Sequence, residues 1–497
     1  MAGYVTINAY DATLRVPEFK GIQQYGDGVG LDPRYAMESV NVLTTDGVLR
    51  PMSACEMLPP ELPHPIETLA RLHRRYYVAD EEKDVLIAAA GGLLYWCIPT
   101  GERWNPIPMP AGMVDATYKS SRWSCVTYEI NPEGSIAPVD VLLMSNAQDG
   151  MICVRGDNLT VELVPTPKKF GVIERYAERI WGADIPDDPD MLVYSAPYDP
   201  FDWEANVDIP EDGAGDILQP SWDGDSFTML KTFGSQLMAF KRTRVWRVLG
   251  TNPGEYTFKE QFGGGTQYER TVAVDVARIL MMGRDGLLQY DGESVYPYYQ
   301  ETAQGIYKRM NVSVLEHAFG VLWKNRYYCA IPLDGSPINN AVLVYDIDDR
   351  TFLLRTDVCV ETFLPTDDAM YFTSATTPGR LWKFHDDCME TGNALPMRWQ
   401  SGWQDLSYKN MTKGSFTVYL TVDCKEDVEL KLSIQTEKKT KTKTLTFSPP
   451  GDGREAKQRR VVFGGNGRRF RYSIESDGNK PWRIIGGLQI EAETDTD

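Results

Sequence analysis

The sequence predicts an all-β protein: a β-propeller of about seven blades, with an N-terminal extension and a C-terminal antiparallel β-sandwich. Three observations predict it. Short apolar or alternating runs are separated by tight turns built on Gly, Asp, Asn or Pro. Such runs are too short for packed helices and suit hairpin strands. One reference turn per unit falls near residues 91, 149, 187, 235, 285, 325 and 379, an average step of 48 residues. That is close to the length of one propeller blade. After Gly392 the pattern changes to longer alternating strands with one apolar face. The expected units are 1–70 as an extended segment that partly completes the propeller, 71–392 as the propeller and 393–497 as the sandwich.

Composition bounds the class. The chain has 497 residues, 42% hydrophobic and 11% aromatic, enough for a sizeable core and unlike a disordered chain. No apolar run approaches the roughly eighteen residues of a membrane-spanning helix, so no membrane insertion is expected. The start, MAGYVTINAYDATLRV, lacks a basic region followed by an apolar core, so no signal peptide is expected. With that, the sequons at Asn158, Asn311 and Asn410 carry little weight. Eight cysteines stand singly with no CxxC pair, the usage of reduced thiols in a cytosolic product.

Charge is uneven. The formal net charge is −19, of which residues 425–483 carry +7, residues 484–497 carry −4 and residues 1–424 carry −22. A body this acidic repels phosphates over its general surface. Nucleic acid can pass such a surface without sticking to it.

In chain order, VTINAY and VNVLTTDGVLRP alternate as strands, with Asp46–Gly47 as a hairpin turn. PRYAMESV between them reads as a short helical turn. LPPELPHPIETLARLHRRYYVAD has four prolines and reads as a linker or rim loop. Hairpins begin at Tyr76, with turns at Gly91–Gly92, Asp149–Gly150, Asp285–Gly286, Lys324–Asn325, Asp348–Asp349 and Pro378–Gly379. Asp–Gly and Gly–Gly tolerate the positive φ of primed turns. Trp96, Trp181, Trp246, Trp323 and Trp382 sit in or beside the second halves of hairpins and are expected to fill the space between blades. A strand from the N-terminal segment is expected to join the last blade. Beyond residue 393, KKTKTKTLTF reads as a strand with Lys or Thr at every solvent-side position.

No catalytic, cofactor-binding or metal-binding constellation emerges, and a non-enzyme is expected. His64, His73, His317 and His385 lack metal-ligand spacing. No G-x-S-x-G elbow is present. Gly263 to Gln267 lacks the Lys of a phosphate loop and reads as a blade connection. Asp184, Asp187, Asp188, Asp190, Asp223 and Asp225 cluster in turns. Inward carboxylates around a propeller axis are what a glycosidase would need, so a carbohydrate-binding or carbohydrate-active propeller is the alternative. A cellular WD-type scaffold would repeat Gly-His and Trp-Asp signatures in each blade, and none recurs.

Several stretches resemble one family. They are RIWGADIPDDPDMLVYS (Arg179 to Ser195), DPFDW (Asp199 to Trp203), LMAFKRTRVWRVLG (Leu237 to Gly250) and GRDGLLQYDG (Gly283 to Gly292), with FKGIQQYGDG (Phe19 to Gly28) and NVLTTDGVLRP (Asn41 to Pro51). They are similar to the β-propeller tail-hub or nozzle proteins of tailed, especially short-tailed, bacteriophages, also called packaged-DNA stabilisation proteins. The likeness runs motif by motif over residues 1 to about 390.

The resemblance implies a structural virion protein, made in the host cytoplasm and located in the neck or tail. It implies a homohexameric ring that continues the DNA channel below portal and adaptor and meets tail fibres, spikes and the tail tip. Double-stranded DNA would pass the lumen without specific binding, and no cofactor is implied. From charge, the acidic propeller is expected to face the lumen. Lys438 to Lys443 and Arg468 to Arg471 are expected to face outward or to meet an acidic neighbour, the next subunit's propeller.

Overall fold

The computed structural model describes residues 9–495 except 25, 27, 111–116, 133–136, 221–223, 262, 386–393, 407–410, 452–455 and 479. Strands dominate, and the one α-helix among these residues is the single turn Gln304–Tyr307. Seven four-stranded antiparallel meanders follow one another: 66–107, 124–164, 172–218, 227–261, 273–297, 319–355 and 360–384. The seventh has three strands of its own. Its fourth, outermost strand is Glu56–Glu61, which pairs antiparallel with Thr377–Phe384. The architecture is a seven-bladed propeller closed by its N-terminal segment, as expected.

The cores lie between blades. Seven apolar clusters each join one blade to the next. Leu72 and Ile87 meet Leu142 and Met144, Val141 and Leu143 meet Phe170 and Ile173, and Trp181 meets Leu230 and Leu237. Met238 and Phe240 meet Met281 and Tyr290, Leu280 and Met282 meet Tyr327 and Cys329, and Tyr328 and Val344 meet Phe363 and Phe372. Leu86 and Ala88 of the first blade meet Tyr371 and Leu381 of the seventh, completing the circle. Because both faces of a blade are covered, its middle strands are apolar without alternation. Val85–Ala90 and Val139–Asn146 are buried at every position. The five tryptophans pack in these inter-blade clusters, Trp96 in the first, Trp181 and Trp246 in the third, and Trp323 and Trp382 in the sixth.

The turn chemistry follows the sequence in most hairpins. Pro378–Gly379, expected as a turn, instead lies inside the strand Thr377–Phe384, and that hairpin turns at Ala375–Thr376, between the paired Ser374 and Thr377. Gly91 and Gly92 have φ of 58° and 75°, and Lys324 and Asn325 have φ of 46° and 59°, the left-handed pairs of primed turns. In the third blade, by contrast, the first hairpin turns at Ala177–Glu178. Residues 184–190, taken as that reference turn, form the second connection of the blade.

Three sequence expectations are corrected. Ile66–His73, placed in a Pro-rich rim loop, is the innermost strand of the first blade, so the propeller begins at Ile66. The prolines do not interrupt it. Pro59 and Pro60 lie in the outer strand of the seventh blade, where one edge is free of ladder bonds. PRYAMESV holds no helical turn: Ala36–Val40 is a strand paired antiparallel with Met397–Ser401. The N-terminal segment also does more than complete the propeller. Ala9–Val16 pairs with Trp482–Asp495, so the sandwich contains two strands from before residue 41. VTINAY begins outside the described residues.

The sandwich is joined to the sixth blade through a continuous nine-stranded sheet, in which Ala36–Val40 runs parallel to Thr351–Arg355. Its core holds Phe19, Trp399, Phe416, Phe470 and Tyr472, with Phe19 and Trp399 edge to face at 5.2 Å. A buried arginine ties the parts together. Arg355, fully buried, donates to Asp357 Oδ1 and Oδ2 at 2.7 and 2.8 Å and to the Ser53 carbonyl at 2.8 Å. It also reaches the His385 carbonyl. One guanidinium thus joins the sixth blade, the end of the seventh and the segment leading into the closing strand.

Two outcomes follow for stability. Gly379 has φ of 79°, and a Cβ there would stand 2.0 Å from the Leu62 carbonyl oxygen, whose residue donates back to Gly379 at 2.9 Å. Gly379→Ala should therefore cost roughly 2–4 kcal/mol, the left-handed penalty plus overpacking, read as a lower denaturation midpoint. Arg355→Met should cost about 3–5 kcal/mol, because it leaves Asp357 without its buried partner. In limited proteolysis it should expose the chain near residues 53–61 before any blade.

Candidate interaction surfaces

The inner strands enclose an axial cavity of about 1290 Å³ lined by all seven blades. Antiparallel meanders place the connections between blades and each blade's second turn at one end of the barrel-like stack. Asn146, Asp184, Arg242 and Arg284 from second turns, and Arg122, Glu269 and Arg270 from connections, all line this cavity. Its mouth therefore opens on that face.

Ion pairs run along the mouth. Glu67 of the first blade pairs with Arg122 at 3.4 Å, and Arg122 with Glu361 of the seventh at 3.6 Å. Glu361 in turn pairs with Arg270 at 3.5 Å, and its carbonyl accepts a bond from Arg270 at 2.8 Å. The Arg270 guanidinium lies 4.9 Å over the Phe319 ring of the sixth blade. Burial pulls the Arg270 pKa below its usual value, opposed by Glu361. In the same wall, desolvation raises the pKa of both Glu269, next to Arg270 in the chain, and Asp184, which is still open to solvent. Their mutual repulsion raises Glu269 further, and Arg242 lowers both. The cavity wall is thus mixed in sign, and the acidity of residues 1–424 lies outside it.

The acids singled out in the sequence are dispersed by the fold. Of those described, only Asp184 lines the cavity. Asp188 pairs with Lys168 at 2.8 Å. Asp190 pairs at 2.5 Å with Lys241, which is fully buried. Asp225 accepts bonds from the Arg242 and Thr243 backbone. Asp223 lies outside the described residues. His73 contacts Asp84 at 2.8 Å. Among the described residues no three His, Cys, Asp or Glu side chains gather as a metal-binding group, and seven cysteines are unpaired thiols.

The opposite face carries a feature that the spacing of turns did not reveal. The third blade's last two strands are joined by residues 195–214, far longer than a hairpin turn. A connection of this length is functional or disordered, and this one is held rigidly. Arg179, 1% exposed, donates to the Ser195 carbonyl at 2.7 Å and the Gly213 carbonyl at 2.6 Å, and also to that of Glu211. It gathers both ends of the loop on one guanidinium. Trp203 donates to the Pro200 carbonyl at 2.8 Å and packs 5.3 Å from Phe170. This explains the residue types in RIWGAD and DPFDW: a buried arginine at the loop's base and a tryptophan under its first half. The loop presents Tyr198, Val207 and Ile209, 74%, 90% and 52% exposed. It carries Asp199, Asp202, Glu204, Asp208, Glu211 and Asp212 and no Lys or Arg.

The cationic part of the sandwich is its open edge. Thr440–Phe447 is the last strand of its sheet, and Arg459–Gly467 is the edge of the facing sheet. As expected for KKTKTKTLTF, residues 440–444 are all exposed, and the strand register adds which face each takes. Lys441 stands opposite Ile434 and Lys443 opposite Leu432, and directly paired residues share a face. Both lysines thus project on the core side, over the gap between the sheets, and Lys443 lies 5.6 Å from the Phe463 ring. Thr440, Thr442 and Thr444 take the outer side, with Thr442 bonded to Ser433 at 2.8 Å. Inward-pointing charge on an edge strand is also the usual guard against unwanted pairing. Arg471 donates to Gln435 at 2.8 Å and lies 4.9 Å over Trp403.

No family model and no curated protein matches the chain. Solved structures match at low similarity. The WD40 domain of Pan2 from Neurospora crassa is 11% identical, with 64% of this chain and 89% of that chain covered and a TM-score of 0.35. BBS1N, solved in complex with ARL6DN, is 10% identical, with 67% and 96% covered and a TM-score of 0.40. An exo-β-1,3-galactanase from Phanerochaete chrysosporium is 7% identical, with 73% and 96% covered and a TM-score of 0.24. The strand topology, and not these likenesses, carries the fold assignment.

The cavity carboxylates give a pH test. With folded pKa values above the ordinary 3.8 and 4.5, Asp184 and Glu269 hold protons that the unfolded chain has lost. Their contribution to stability therefore falls as pH rises through the window just above those values. Arg242→Gln should raise both pKa values further, measured by carboxyl carbon NMR across pH 3–8. An unchanged titration of Asp184 would show that Arg242 points away from the pair.

Proposed function

We propose that this chain is a structural virion protein of a tailed phage, a hub or nozzle subunit that assembles as a homohexameric ring in the neck or tail. The reading rests on the motifs quoted above. One observation of the structure supports it: charge is segregated onto two units of one rigid chain, an acidic propeller and a sandwich with a cationic open edge. Such segregation suits head-to-tail contacts between copies, since unlike patches steer association and fix register. The acidic surface suits a wall past which DNA slides, because it offers phosphates no counter-charge. In this reading the ring meets portal and adaptor on one side and fibres, spikes or the tail tip on the other.

A second reading takes the axial cavity as a carbohydrate site. Its specific observation is the two cavity-lining carboxylates Asp184 and Glu269, both with pKa values raised as a general acid requires. A glycan-binding and hydrolysis panel tests it: Glu269→Gln should abolish any activity found.

For the virion reading, electron microscopy of the protein mixed with its adaptor should show sixfold rings. A fivefold or twofold particle as the only assembled form contradicts it. Replacing Lys438, Lys439, Lys441 and Lys443 together by Gln should weaken ring assembly, with the remaining assembly less sensitive to salt. If assembly is unchanged while DNA retention in the virion falls, the lysines face the lumen and the assignment of surfaces is reversed.

A further inference from the structure

We propose that the 195–214 loop of the third blade is the seat for the cationic sandwich edge of a second copy of this chain. The proposal rests on the ring reading and adds to it the two patches in contact. Three observations point to the loop. It is preorganised, since buried Arg179 holds both ends by three carbonyls and Trp203 anchors the first half. A loop already fixed in place loses little entropy on binding. It holds Tyr198, Val207 and Ile209 out in solvent at 74%, 90% and 52% exposure, while Phe201 and Trp203 of the same loop are partly buried. Large apolar side chains held rigidly in water mark a contact surface. Its charge is of one sign, six carboxylates without a base.

The complementary patch is on the same chain but belongs to the other unit. The edge strand Thr440–Phe447 and the facing edge Arg459–Gly467 present Lys441, Lys443 and Arg459 over the gap between the sheets, with Arg460 and the 41% exposed Val462 on the outer side of the second strand. The acids of the loop thus have a single open edge lined with bases as their complement. The loop opens on the face of the first and third turns of each blade, whereas the axial cavity opens on the other. Contact through the loop leaves the cavity mouth uncovered. The contact is heterologous, loop of one copy to edge of the next, which generates a ring when the rotation closes.

The test is zero-length carbodiimide crosslinking of a one-to-one mixture of isotope-labelled and unlabelled full-length protein, assembled at low salt. Mass spectrometry then reads only links between copies. The expected result is Lys441 or Lys443 joined to Asp208, Glu211 or Asp212, suppressed in 0.5 M salt. In sedimentation, Asp208→Lys with Glu211→Lys and Asp212→Lys should weaken self-association at least tenfold. Adding Lys441→Glu and Lys443→Glu to that variant should restore it. Rescue separates contact from misfolding, and unchanged circular dichroism of the triple variant provides the folding check. Links between copies that avoid the loop overturn this proposal and leave the ring reading standing. A chain that stays monomeric at every concentration, with and without adaptor, overturns both.

Discussion

Ring closure by an N-terminal strand is the constraint on which the rest of the structure depends. Each inter-blade core requires a blade on both sides, so six interfaces are stable only if the seventh forms. That last interface, between the seventh and first blades, is covered by Glu56–Glu61 lying against Thr377–Phe384. The pairing joins residues more than 300 positions apart, and the entropy of closing so long a loop must be met before its contacts repay it. Its anchors are accordingly strong and local. Leu62 is hydrogen-bonded to Gly379, and Arg355 holds the Ser53 carbonyl in a fully buried site. Upstream of that strand the same segment supplies two strands to the sandwich. Propeller and sandwich therefore share one N-terminal thread, and the sixth blade's outer strand Thr351–Arg355 is covered by Ala36–Val40.

A frame closed in this way leaves its surface turns free of structural duty, and charge is distributed over them unequally. On the cavity face, acids at Asp188 and Asp190 are matched by Lys168 and Lys241, and the mouth itself is a chain of alternating Arg and Glu. On the other face the longest connection bears acids alone. Neighbouring like charges cost stability, and here the loop carries that cost on backbone bonds from Arg179, which do not depend on the ionisation of the acids.

Much of this was legible in the sequence, and the failures share a physical cause. Hairpin turns could be read where positive φ demands particular residues: Gly91–Gly92 and Lys324–Asn325 turn where their chemistry says, whereas the fifth blade turns one residue early, at Arg284–Asp285, with Gly286 opening the next strand. Ile66–His73 was hidden because prolines on either side suggested a loop, while its own residues IETLARLH alternate on neither period cleanly. Its identity is fixed by seven partners in the next strand, which is tertiary information. Lys441 and Lys443 are exposed as the pattern implies, but alternation gives two faces and not which of them the lysines share with the core. Only the register against Leu432 and Ile434 decides it. Arg179 looked like part of a motif; that it gathers a 20-residue loop depends on three carbonyls distant in sequence.

Under the proposed ring reading, the axial cavity bears on where DNA can run. At about 1290 Å³ it is the size of a large ligand pocket, and its mouth is bridged by the successive ion pairs Glu67–Arg122, Arg122–Glu361 and Glu361–Arg270, each at 3.4 to 3.6 Å. A duplex whose major groove alone is about 12 Å wide has no passage through a single propeller. In a ring of such subunits the DNA path must therefore be the space between copies, walled by outer strands and turns. The surface that then matters is the one on which the carboxylates of residues 1–424 are not already paired. The ion-paired cavity contributes rigidity to that wall, tying first, second, fifth and seventh blades, while the unpaired acids outside supply its repulsion.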